Sequence, residues 1–73
     1  MMPLTLAAAG ETVVIRKISG KDTMRQHLAD MGFVVDAEVT VVSRVMGNLI
    51  IQVKGSRVAI DQSVVHGFSA DVF

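Results

Sequence analysis

Residues 21–33 read KDTMRQHLADMGF, and this stretch decides the fold. Met24, Leu28 and Met31 recur at i, i+4 and i+7, the spacing of one apolar helical stripe. The spacing predicts a helix over residues 21–31. Thr23 and Gln26 have the spacing of a capping box, with Asp22 as the competing N-cap. Gly32 follows the last periodic residue and suits the left-handed position that ends helices. Phe33, one residue on, is then placed to fold back against Leu28.

On both sides of this helix the apolar period falls to two. Residues 12–19 (TVVIRKIS) are rich in β-branched side chains and read as a strand ended by Gly20. Before them, residues 4–9 have room for one helical turn, capped by Thr5 and stopped by Gly10. After the helix, residues 38–45 (EVTVVSRV) alternate, with Val39, Val41 and Val45 expected on one face. Met46, Gly47 and Asn48 make a hairpin connection to residues 49–54 (LIIQVK), whose Leu49, Ile51 and Val53 share a face. Gly55-Ser56 is a second tight turn before a short strand over residues 57–60 (RVAI). Residues 61–63 open one helical turn carrying Val64 and Val65, and residues 69–73 form a fifth strand. A single helical segment among short strands predicts a mainly β domain spanning residues 1–73, a five-stranded SH3-like barrel with one inserted helix.

Composition narrows the function. The chain has 73 residues, of which 51% are hydrophobic and 19% charged. Seven basic residues balance seven acidic ones, so the net charge is zero. Nucleic-acid binding usually brings a basic excess, and single-strand stacking platforms bring aromatics. Here the aromatics are three Phe and no run of basic residues exceeds two. There is no cysteine, hence no disulfide, thiolate ligand or Cys nucleophile. No apolar run approaches the roughly 20 residues of a membrane span. Residues 1–10 lack a basic n-region, so a cytoplasmic location is the expectation. No serine-hydrolase, Walker, zincin or dinucleotide signature occurs, and the chain reads as a non-enzyme.

Two constellations are candidates for a site. His27 and Asp30 stand at i and i+3 on the helix and are the metal-ligand candidates. Two ligands do not make a site; Glu11, Asp36 or His66 would have to join them. No tightly bound cofactor is expected, and Fe²⁺ binding is expected to be slight. The second constellation is apolar residues beside turns: Phe33, Val34, Met46 and Leu49. They either close the barrel ends or form a contact patch, and a patch for a protein partner is the expectation.

The chain resembles the FeoA family of bacterial ferrous-iron-transport proteins. The resemblance rests on Leu4-Thr5-Leu6 with Gly10-Glu11, on Leu28-Ala29-Asp30-Met31-Gly32-Phe33, on residues 37–42 (AEVTVV) and on residues 53–60 (VKGSRVAI). It implies an SH3-like barrel and a small cytoplasmic accessory protein of iron uptake, a monomer or weak homo-oligomer. The implied partner is the cytoplasmic GTP-binding domain of the membrane transporter FeoB. A related domain ends the DtxR-type metal-dependent repressors, so a metal-linked regulatory domain is the alternative, together with an AbrB-like DNA-binding domain. The neutral charge speaks against DNA. The sequence departs from the family at Val34-Val35-Asp36, where Pro-Gly is frequent, and at the tight Val45-Met46-Gly47-Asn48-Leu49 connection.

Overall fold

The computed structural model describes residues 2–72. Six antiparallel strands form one sheet: β1 (Met2–Pro3), β2 (Thr12–Ile18), β3 (Glu38–Val45), β4 (Asn48–Val53), β5 (Ser56–Asp61) and β6 (Phe68–Val72). Their order across the sheet is β1-β6-β2-β3-β4-β5. Helix α1 (Asp22–Asp30) joins β2 to β3, and the one-turn α2 (Gln62–Val65) joins β5 to β6. This is the mainly β, single-inserted-helix architecture that the period changes predict. The count is six strands and not five, because β1 is a two-residue pairing of Met2 with Ala70 and Pro3 with Ser69. Two residues are too short to show a period.

The strands wrap one core. Val13, Ile15, Val39, Val41, Leu49, Ile51, Val53, Ile60, Phe68 and Ala70 come from five strands and share a single buried cluster. A flat sheet could not bring them together; two bulges help it curl. One shifts the β2–β6 register between Ile15 and Lys17, and the other shifts β3–β4 between Val41 and Ser43. The second bulge corrects the face assigned to Val45. It inserts Val42 into the alternation, so Val45 ends up 49% exposed while Val39 and Val41 are buried.

α1 ends as its sequence predicts. Gly32 has φ +98°. Phe33 N–H donates to Leu28 O at 3.0 Å and Gly32 N–H to Ala29 O at 2.9 Å, the paired bonds of a Schellman ending. Phe33 thereby turns inward and packs edge-to-face on Phe68, ring centroids 6.0 Å apart. The start of α1 differs from expectation. Lys21 is the N-cap and no side chain caps the helix. Thr23 and Gln26 form no capping box; Asp22 lies inside the first turn, where a carboxylate favours the helix dipole. The stripe is also narrower than predicted. Leu28 is buried and Met31 packs on the core, but Met24 is exposed.

The amino-terminal turn is a 3-10 turn over Leu4–Leu6 with Pro3 at its N-cap. Thr5 is buried within the turn and caps nothing. The Arg44 guanidinium donates to the carbonyls of Thr5 and Ala7 and fixes the turn over the core. Both hairpins have two-residue loops. Met46-Gly47 (φ 49° and 83°) joins β3 to β4, and Lys54-Gly55 joins β4 to β5. Asn48 and Ser56, expected in the turns, are already paired in strands, with Val45 and Val53. Of the last expected strand, Phe73 lies outside the described residues.

Candidate docking surface

The structure does not bring the four apolar candidates together. Phe33 is fully buried and Leu49 is 1% exposed, so neither is a surface contact. Phe33 is drawn in by the Schellman ending, and Leu49 lies on the inward face of β4 with Ile51 and Val53. Val34 is 40% exposed and Met46 is 97% exposed. These two lie beyond opposite ends of β3, whose eight residues span about 25 Å at roughly 3.3 Å each. One patch cannot hold both.

The metal candidates do not assemble either. His27 and Asp30 are both exposed on α1. Among the described residues no three His, Asp or Glu side chains converge on a possible ion. Two of the residues that might have joined them have other partners. Glu11 Oε1 accepts the Ala8 N–H at 3.1 Å, and Asp36 pairs with Arg16 at 2.9 Å.

Phe33 and Val34 line a small hollow of about 220 Å³ with Arg25 and Val35, and a groove of about 830 Å³ forms between α1 and α2. Sheet pairing builds the groove. Ile18 at the end of β2 pairs with Phe68 at the start of β6. The segment leading into α1 therefore lies beside the segment leaving α2. Ser19 N–H donates to Gly67 O at 2.9 Å and locks the two together. Their approach is close: a Cβ at Gly67 would lie 3.0 Å from Ser19 O, so a side chain there would press the two segments apart by a few tenths of an ångström. Each helix then contributes one wall. Met24 and Leu28 come from α1, Val64 comes from α2, and His27, His66 and Lys21 stand among them.

α2 keeps its wall in place through its cap. Asp61 Oδ1 accepts both the Ser63 N–H, at 2.8 Å, and the Ser63 hydroxyl, at 2.7 Å. These bonds hold the Asp61 carboxyl below the usual carboxylate range, the hydroxyl bond contributing most. On the inner side Val65 is buried, so one short turn is clamped at both faces.

The lining is mostly apolar and carries a lysine and two imidazoles but no carboxylate. Such a surface suits an apolar segment with acidic flanks. Of its hydroxyls, that of Ser63 is committed to Asp61. Sequence reasoning gave Met24 to the buried helical stripe and considered His66 as a possible metal ligand, and thereby missed the groove. The signal it had was Asp61-Gln62-Ser63 opening a helical turn; what it lacked was the strand pairing that sets this turn beside α1.

Comparison with known proteins agrees with this architecture. The sequence pattern described as the FeoA domain matches residues 2–67. A protein of Methanocaldococcus jannaschii described as Fe(2+) transport protein A is 34% identical over 64 residues, covering 88% of this chain and 78% of the relative. The crystal structure of an iron uptake regulatory protein, FeoA, superposes with a TM-score of 0.89 at 29% identity, covering 99% of this chain and 96% of that one. The crystal structure of T. acidophilum IdeR superposes with a TM-score of 0.88 at 19% identity, over 99% of this chain but 34% of its own length. That last likeness is one of fold. The chain belongs to the FeoA domain family.

Proposed function

We propose that this protein supports ferrous-iron uptake from the cytoplasmic side, by binding and not by catalysis. Its partner in this reading is the cytoplasmic GTP-binding domain of the FeoB transporter, and the groove between α1 and α2 is where the two meet. The observation that carries the reading is that the half-exposed Met24 lies in a concave, carboxylate-free lining within a FeoA-family chain. The relative described as Fe(2+) transport protein A supports the link to iron. No helix among the described residues is long and apolar enough to cross a membrane, consistent with a role as an accessory to a spanning partner.

The test is a pair of surface substitutions measured against the isolated GTP-binding domain. Met24→Asp puts a carboxylate into the groove, and Met46→Asp puts one on the far hairpin tip. Neither side chain is buried, so both variants should melt with the parent. Met24→Asp is expected to weaken association at least tenfold and Met46→Asp to leave it unchanged. Equal binding by parent and Met24→Asp would remove the groove from the reading; loss with Met46→Asp alone would move the contact to the hairpin.

A further inference from the structure

Strand β5 is an edge of the sheet, paired to β4 along its whole length and, among the described residues, to no strand on its other side. Which of its backbone groups point outward follows from the hairpin. A two-residue loop is closed by a hydrogen-bonded pair, here Val53 with Ser56. Hydrogen-bonded pairs then alternate along the ladder, at Ile51 with Val58 and Leu49 with Ile60. The next in the series, Gly47 with Gln62, is seen directly as Gln62 N–H donating to Gly47 O at 2.8 Å. The amides of Ser56, Val58 and Ile60 therefore face β4. Those of Arg57, Ala59 and Asp61 face away from it.

The same three residues share the solvent face. Ile60 is buried and Val58 packs on the core, whereas Arg57, Ala59 and Asp61 are exposed. The outward backbone groups and the outward side chains thus read Arg-Ala-Asp at alternate positions. This order is its own complement in an antiparallel pairing. A two-fold axis at Ala59 sets Ala59 opposite Ala59 of the second copy, and Arg57 opposite Asp61 of the second copy, twice over. Directly opposite residues have Cβ atoms about 5 Å apart, within reach of an ion pair. The small Ala59 pair at the axis offers no clash. A slip of two residues in either direction breaks both charge pairs, so the register is specified.

We propose that β5 is a homodimerisation edge, on which a second copy of this chain adds its own β5 antiparallel about Ala59. Charges on an edge strand ordinarily deter pairing with arbitrary strands. Arg57 and Asp61 do so here while permitting one partner, the chain itself. The edge is six residues long, so the buried area falls at the small end of protein interfaces. The dimer is accordingly weak and concentration-dependent.

Sedimentation equilibrium of the full chain over a concentration series up to about 1 mM tests this. The parent is expected to show a monomer–dimer equilibrium. Arg57→Asp places like charges at both symmetric positions and should weaken it about tenfold or more. Because Asp61 also caps α2, its charge is better left in place. Ala59→Pro instead deletes an outward N–H that β4 does not use, and should abolish the dimer with the circular dichroism spectrum unchanged. A parent that stays monomeric throughout overturns the proposal. So does a dimer that Arg57→Asp and Ala59→Pro both leave intact.

Discussion

Gly32 carries more of the fold than any side chain of its size suggests. Its φ of +98° ends α1, and a Cβ there would lie 3.0 Å from Val53 Cγ2 and 3.3 Å from the Lys54 side chain. Gly32→Val meets both a backbone penalty and crowding against β4, together about 2–4 kcal/mol. In a domain of this size that lowers the melting temperature by about 10 °C or more, read by differential scanning calorimetry. A melt within a degree or two of the parent would show that the turn has another way to close. Iron makes a second test at this scale. His27 and Asp30 have no third ligand beside them among the described residues, so Fe²⁺ should bind only slightly and His27→Ala should change little. A tight one-to-one complex by anaerobic calorimetry, lost in His27→Ala, would contradict this.

Among the elements, α2 is the most exposed to a single change. Its four residues depend on the Asp61 cap. The Asp61 carboxyl titrates below its ordinary value because Ser63 donates two bonds to the charged form. The linkage has a definite sign: a lowered carboxylate pKa adds stability at pH values above the unfolded value of about 3.9 and loses it as pH falls through the folded pKa. Asp61→Asn keeps a capping oxygen without the titration. Urea unfolding from pH 5 down to pH 2 should therefore fall less steeply for Asp61→Asn than for the parent; parallel curves would mean the cap contributes nothing in acid. The elements also show what sequence can and cannot reveal. The strands β2 to β6, α1 and the Gly32 ending were legible because each follows from local periodicity or one special backbone angle. The face of Val45 was not, since the bulge at Val42 leaves no mark in the pattern. The burial of Phe33 and Leu49 followed from the helix ending and from the face shared with Ile51 and Val53, but their places beside turns spoke for exposure. The exposure of Met24 was hidden in a stripe that has the right period but only a short surface to lie on.

For the whole molecule, the sheet pairing of Ile18 with Phe68 matters most, since it sets α1 and α2 side by side and so creates the groove. Two surfaces of different character result: the concave, carboxylate-free groove and the self-complementary edge at β5. They rest on different residues, so a variant of one should leave the other untouched: Met24→Asp should dimerise like the parent, and Arg57→Asp should bind the transporter domain as well as the parent does. The central claim is that the groove is the docking surface, and backbone amide shift mapping tests it most directly. On adding the transporter's GTP-binding domain to the isotope-labelled protein, the largest shifts are predicted at residues 19–28 and 63–67, with residues 46–47 unmoved. Shifts gathered at the Met46 hairpin, or none at saturating concentrations of the domain, would contradict it.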